Sequence, residues 1–130
     1  VYYVQYAHAR ICSVFRKAAE EGVSLPPSPE EVLDRLALDE EMALIRFLAR
    51  FPSLIEEVCD RYEPHRIPYY LMELASSFHK YFNLGTKVPE NRIVTADVPL
   101  TQARLCLAEG IRTVLRNGLS LLGVHAPERM

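Results

Sequence analysis

The sequence predicts an all-α fold, a bundle of about six helices. Three observations carry that expectation. Apolar residues recur at three- and four-residue spacing along most of the chain, as they do in helices with one buried face. The nine prolines fall mostly between these periodic stretches, where a missing N–H and a fixed φ do no damage. Five glycines are few for the many turns of an all-β protein. At 130 residues and 49% apolar content, the chain fits one domain with a real core.

The first helix is expected over about 1–20, with Val4, Ala7, Ile11, Val14 and Ala18 inward and Gly22 just past its end. Leu25-Pro26-Pro27 is an extended link. Ser28-Pro29-Glu30-Glu31 reads as a helix start with a capping box. The short helix that follows carries Val32, Leu33 and Leu36 inward and ends near Leu38. Asp39 is placed to cap the next helix, with Glu40 and Glu41 where the macrodipole favours acids. That helix turns Met42, Leu44, Ile45, Leu48 and Phe51 inward. Pro52 opens another, with Leu54, Ile55 and Val58 inward, to about Tyr62. A proline break at Glu63-Pro64-His65-Arg66-Ile67-Pro68 precedes a long helix over about 66–83, with Leu71, Leu74, Ala75, Phe78 and Phe82 inward. Residues 84–97 read as a loop, briefly extended over Arg92–Ala96. The last long helix spans about 98–117, with Leu100, Ala103, Leu107, Ile111, Val114 and Leu115 inward. Gly118 is expected to interrupt it before a short turn and a tail.

Several function classes drop out. No apolar run approaches the roughly 18–20 residues needed to cross a bilayer. The chain starts inside a helical pattern with neither a signal peptide nor an initiator methionine, and is therefore expected to be a piece of a longer protein. Cys12, Cys59 and Cys106 are far apart, odd in number, and have no histidine at ligand spacing. They read as free cytoplasmic thiols, not as a disulfide framework or a zinc site. His8, His65, His79 and His125 are scattered, and neither GxGxxG nor P-loop spacing occurs. No catalytic constellation is visible. His8 reads as a packed side chain, Met42 and Met72 as core filler, and the acidic clusters at 30–41 and 56–63 as helix starts and solvent faces.

One stripe of the first helix stands apart. At roughly 100° per residue, Tyr3, Tyr6 and Arg10 share a narrow face beside the apolar one. Rings next to a guanidinium suit the stacking of unpaired bases beside phosphates. The same spacing equally suits rings half-buried at a core margin. Charge is also uneven. Residues 20–63 hold 12 acids and 4 bases, a local charge of −8, and the remainder holds 5 acids and 11 bases, or +6. A domain with net charge −2 can therefore still attract phosphate on one side; the same unevenness equally suits scattered surface charge.

Four segments, in order along the chain, resemble the C-terminal, DALR-type anticodon-binding domain of arginyl-tRNA synthetases. They are the opening Tyr3-Val4-Gln5-Tyr6-Ala7-His8-Ala9-Arg10-Ile11; the run Tyr70-Leu71-Met72-Glu73-Leu74-Ala75-Ser76-Ser77-Phe78-His79-Lys80-Tyr81-Phe82-Asn83; Arg104-Leu105-Cys106-Leu107 running on to Val114-Leu115-Arg116-Asn117-Gly118-Leu119; and the ending Leu121-Leu122-Gly123-Val124-His125-Ala126-Pro127-Glu128-Arg129-Met130. The Asp-Ala-Leu-Arg tetrad that names the class is not present literally; the nearest segment is Gln102-Ala103-Arg104-Leu105.

The resemblance implies a tRNA anticodon-binding domain over 1–130, preceded in the whole enzyme by a Rossmann-like catalytic domain. That enzyme would be an ATP-dependent arginine–tRNA ligase, a class I synthetase, cytoplasmic and monomeric. The fragment itself would carry no cofactor, no metal and no catalytic residue. ATP with magnesium, and arginine, would bind in the missing domain, and tRNA-Arg would be the partner here, with no membrane involved. Carried over by matching motif, the anticodon-contacting residues are Tyr3, Tyr6 and Arg10 from the first helix, Phe78, Phe82 and Asn83 from the long middle helix, and Arg129 and Met130 from the tail. Met130 would add a flexible apolar contact and a terminal carboxylate. Lys17, Lys80, Arg104, Arg112 and Arg116 are candidates for non-specific phosphate attraction or plain solvated charges. Two other readings stay open: the anticodon-binding domain of another synthetase, such as the glycyl β subunit, and a helical protein-interaction domain with no RNA role.

Overall fold

A computed structural model describes all of residues 1–130. It contains five α-helices and no strand: α1 (Tyr2–Glu20), α2 (Asp39–Ala49), α3 (Phe51–Arg61), α4 (Arg66–Lys87) and α5 (Val98–Leu121). The three long helices make the frame. α1 lies against both α4 and α5, and these lie against each other; α2 leans on α4 and α5, and α3 on α4. The inward residues expected of α1, Val4, Ala7, Ile11, Val14 and Ala18, are all buried, and so are Leu71, Leu74, Ala75 and Phe78 of α4. On α5 the buried row includes Ala103, Leu107, Ile111 and Leu115. Burying each large apolar side chain contributes about 1.5–3 kcal/mol.

Four expectations need correction. The segment expected as a short helix after Ser28 is instead two three-residue 3-10 turns, Pro29–Glu31 and Leu33–Arg35, and Ser28 makes no capping hydrogen bond. Three prolines within four residues leave too little chain to nucleate an α-helix. Asp39 does not cap α2. Leu38 occupies the cap position, and Glu41 reaches back so that its Oε1 accepts from the backbone N–H of Ala37 (3.1 Å) and Leu38 (3.0 Å). Ile45 and Leu33, both expected inward, are exposed, and so is Met72, expected as core filler.

The fourth correction concerns length. α4 runs on to Lys87, and α5 passes through Gly118 to Leu121. Gly118 is no break: a Cβ there would lie 2.6 Å from Leu71 Cδ2, so its bare backbone lets α4 and α5 approach closely. The bundle therefore has five α-helices where about six were expected.

A buried polar knot pins the bundle from inside. Glu41 is fully buried, and its Oε2 accepts from Tyr81 Oη (2.5 Å) and Arg104 Nε (2.8 Å). Arg104, itself buried, also donates to the carbonyls of Glu90 and Arg92, each at 2.7 Å. One ion pair thus fastens α2, α4, α5 and the segment before α5. Burial and the neighbouring Glu41 carboxylate push the Tyr81 hydroxyl well above its usual range, so it stays a donor.

Candidate nucleic-acid interface

The tyrosine stripe of α1 meets α4 at the rim of the bundle. Tyr3, Tyr6 and Arg10 stand on successive turns of α1, and His79 and Phe82 face them from successive turns of α4. The His79 ring lies 4.9 Å from Tyr3 and 5.4 Å from Tyr6, stacked on Tyr6 at an interplanar angle of 24°. Arg10 places its guanidinium carbon 4.0 Å from the Phe82 ring centroid and 5.4 Å from that of Tyr6. One of its N–H groups donates to His79 Nδ1 at 3.0 Å. Because a guanidinium can only donate, Nδ1 accepts and His79 is neutral with its proton on Nε2. Burial, then the nearby Arg10 charge, lowers the His79 pKa and keeps it so.

The tail completes the site from the other end of the chain. α5 ends in a Schellman turn: Gly123, at φ +74°, donates to Ser120 O (3.0 Å), and Val124 donates to Leu119 O (2.9 Å). This turn reverses the chain across α1. Three α1 side chains strap it there. Gln5 Nε2 donates to His125 O (3.0 Å), His8 Nδ1 to Pro127 O (2.8 Å), and Arg16 to Glu128 O (3.3 Å). Burial lowers the His8 pKa against the opposing pull of the Pro127 carbonyl, so a neutral imidazole makes this bond. The chain then delivers Arg129 and Met130 beside Tyr6 and Arg10. These four residues, with Phe82, Ser13, Arg16 and Lys17 among the others, line one open cavity of about 560 Å³.

The cavity's chemistry is distinctive. It has ring faces, a flexible thioether, and cations without counter-ions. The five ion pairs of the chain engage Arg35, Arg66, Arg104 and Arg112, leaving Arg10, Arg16, Lys17 and Arg129 without a carboxylate within 4 Å. Such a cavity offers stacking to a flat, unpaired ring and fork-shaped donors to its edge or to a phosphate. No group of three or more His, Cys, Asp or Glu side chains is placed to hold a metal ion, and no helix is long and apolar enough to cross a membrane.

Tyr6, Arg10, Phe82, Arg129 and Met130 therefore come together as one cluster. Tyr6 is 45% exposed and Met130 56%, so both can be reached. Tyr3, 41% exposed, stands one turn along α1 and touches the cluster through His79. Asn83 is exposed but lies round α4 from Phe82, outside the cavity lining.

Phe78 must be withdrawn. It is fully buried at the centre of the core-facing row of α4, and no face of its ring is open to a base. Among the candidate phosphate contacts, Arg104 is withdrawn for the same reason. Arg112 is committed to Glu109 and lies 4.2 Å over the Phe15 ring. Lys80 sits among Glu40 and Glu73 on another face, and Arg116 is exposed but outside the cavity. Only Lys17 of the five lines the site.

Sequence reasoning missed His79, which braces Arg10, and the strap residues Gln5 and Arg16. The strap had a signal. Gln5, His8, Cys12 and Arg16 recur at helical spacing as a second polar stripe on α1, whose partner, an aperiodic tail, carries none.

A family model described as the DALR anticodon binding domain matches residues 4–130. An arginine–tRNA ligase of Syntrophotalea carbinolica is 48% identical over 130 residues, which are 100% of this chain and 22% of that protein. One from Symbiobacterium thermophilum is 50% identical, again over 100% of this chain and 22% of its own length. The solved Thermus thermophilus arginyl-tRNA synthetase superposes with a TM-score of 0.83 at 36% identity, covering 98% of this chain and 21% of that one. The chain thus spans about a fifth of the length of these relatives.

Proposed function

The chain belongs to the DALR anticodon binding domain family, and from that premise we propose that it grips the anticodon loop of tRNA-Arg as one domain of an arginine–tRNA ligase. The observation that carries this reading is the convergence of Tyr6, Arg10, Phe82, Arg129 and Met130 on one open cavity. Anticodon bases are unstacked, so their faces and hydrogen-bonding edges are free. In this reading a base lies against the Tyr6 ring and the Met130 thioether while Arg10, placed over Phe82 and bonded to His79, presents its remaining N–H groups to the base edge or the adjoining phosphate. Arg16, Lys17 and Arg129 supply the surrounding positive field.

Aminoacylation itself falls to residues outside this chain. Arginine and ATP, with magnesium, would bind there, and the protein would act as a cytoplasmic monomer. The chain's own contribution is to select and orient the tRNA.

The test is a titration of the full-length protein with tRNA-Arg and with tRNA-Gly. Preference for tRNA-Arg supports the reading, and preference for tRNA-Gly would point to another synthetase. Binding should weaken steeply with salt as phosphate contacts release counter-ions. Tyr6→Ala should weaken tRNA-Arg binding by a stacking contribution of about 1–3 kcal/mol while leaving the melting temperature nearly unchanged. Failure to bind either RNA, with salt-insensitive capture of a protein instead, would replace this reading with a protein-interaction role.

A further inference from the structure

A groove of about 620 Å³ opens between α5, α2 and the link over residues 21–38 that joins α1 to α2. It shares no lining residue with the cavity at Tyr6 and Arg10. Its walls are apolar: Leu25, Leu33 and Ile45 are each 40–41% exposed, and Leu48 and the buried Leu107 line it with them. Leu33 and Ile45 are residues whose spacing predicts burial, yet residues 1–130 leave them open. The link does not present them by being loose. Its Val32 and Leu36 are buried, Gln102 Nε2 of α5 donates to Ser24 O (3.2 Å), and Arg35 pairs with Asp97 at the start of α5. The groove is already formed, so filling it asks for little further ordering of this chain.

Charge and chain length select the occupant. The lining carries one charged side chain, Glu109, and that is paired with Arg112. A phosphate would meet no free cation there, so the groove does not suit RNA. The link beside it is acidic: Glu30, Glu31 and Asp34 are exposed and in no ion pair. Two copies of this chain meeting groove to groove would bring these acids together. A segment with basic residues flanking an apolar stripe would satisfy the floor and the acids at once. Such a segment has a source. This chain covers 22% of the ligases it resembles, so about four-fifths of a protein of that kind lies outside the matched region. A segment tethered on the same polypeptide meets the groove at an effective concentration on the order of millimolar when the linker is short.

We propose that this groove docks an amphipathic helix from the part of the same polypeptide outside residues 1–130. Apolar side chains one helical turn apart lie on Leu33, Ile45 and Leu25, and flanking Lys or Arg residues face Glu30, Glu31 and Asp34. The inference rests only on that part of the reading above which makes this chain one domain of a longer protein. Docking on α2 and α5 leaves the cavity at Tyr6 and Arg10 free for RNA. It also sets how that cavity is aimed relative to the rest of the protein.

The experiment uses the full-length protein without tRNA and reads its own thiols. Cys106 lines the groove, Cys59 is exposed, and Cys12 is buried. N-ethylmaleimide should modify Cys106 slowly in the wild type, and Ile45→Glu should speed that reaction tenfold or more. An added acid would by itself hold the thiol protonated and slow the reaction, so acceleration reports uncovering. Cys59 should react at an unchanged rate, and Cys12 should stay protected, which shows that the domain remains folded. In dilute protein, p-benzoylphenylalanine in place of Leu33 should cross-link to a peptide outside residues 1–130 of the same chain. The double change Glu30→Lys with Glu31→Lys should lower that yield several-fold. Cross-links to residues 1–130 of a second copy, or none at all with Cys106 equally reactive in Ile45→Glu and wild type, would overturn the proposal. Binding of tRNA-Arg by Tyr6→Ala tests the anticodon site separately, and its outcome leaves these readouts unaltered.

Discussion

Two arginines on neighbouring helices show how one side chain is consumed by structure in one place and left open to an outside partner in another. Arg104 is buried and committed: a carboxylate and two carbonyls take N–H groups from it within 2.8 Å. Arg10 is half-buried and under-committed. It is held by two ring faces and one histidine nitrogen, with no acid nearby to neutralise it. The first arrangement commits three of its five N–H groups to the fold. The second anchors the guanidinium at the rim and leaves most of its donors to an external acceptor. Residue type and helical spacing do not separate the two; the partners do.

The contrast predicts opposite phenotypes. The largest effect belongs to the buried knot. Arg104→Ala should destabilise the domain by about 3–5 kcal/mol, because it strands the Glu41 carboxylate in the core. Thermal unfolding measures this, and a loss below about 1 kcal/mol would mean that Arg104 is not the internal fastener described. Arg10→Ala should do the reverse. It gives up contacts with two rings, about 0.5–2 kcal/mol each, and one hydrogen bond to His79 at the rim, a smaller loss than a stranded core carboxylate, yet should weaken tRNA-Arg binding roughly tenfold or more, since each 1.4 kcal/mol is a factor of ten. Arg10→Lys should recover charge but little affinity, because an ammonium neither lies flat on Phe82 nor presents a fork of donors. Equal recovery by lysine would reduce Arg10 to a point charge. The pair Phe78→Ala and Phe82→Ala sharpens the same division: the first should cost about 3–5 kcal/mol of stability, the second chiefly RNA affinity.

These outcomes also mark where the sequence was legible. The core rows of α1, α4 and α5 were readable because burial imposes a period, and the period survives in the residue order. The stripe of Tyr3, Tyr6 and Arg10 was readable for the same reason. Phe78 and Phe82 were not separable: they stand four apart on one face of α4, and only the position of α1 decides which is covered. Arg104 looked like a surface cation because its counter-charge, Glu41, lies 63 residues away and itself looked like a helix-start acid. Gly118 was read as a break because the close approach of Leu71 that requires it is a tertiary fact. The absence of a literal tetrad around Gln102–Leu105 did not keep the chain out of its family, since the match runs over residues 4–130.

The tail extends the comparison to a smaller effect. Met130 reaches the cavity beside Tyr6 and Arg10 because Gln5, His8 and Arg16 strap the preceding residues to α1. Deleting Met130 should raise the tRNA KM of the full-length enzyme a few-fold with the melting temperature unchanged. Unchanged kinetics would remove it from the site.

The mildest perturbation is acid, and it should reach the cavity at Tyr6 and Arg10 before the knot around Glu41. Both histidines there, His8 under the tail and His79 behind Arg10, are held neutral, with pKa values pushed below the ordinary 6.5 chiefly by burial. Below about pH 6.5 an unfolded imidazole takes up a proton that the folded one refuses, so the unfolded state binds more protons and stability falls as pH falls. The contribution is fully present above that pH and disappears as the folded-state pKa values are passed. Protonation also breaks the geometry: a charged His79 has no lone pair for Arg10 and sets two cations side by side. The melting temperature should therefore hold level above pH 7 and drop by a few degrees toward pH 5, with tRNA affinity falling in step. His79→Gln keeps an acceptor for Arg10 without a titrating ring, and should remove part of that slope while retaining affinity. A profile equally steep in His79→Gln would mean that the acid response comes from elsewhere in the bundle, and that Arg10 does not depend on a neutral imidazole to hold its plane.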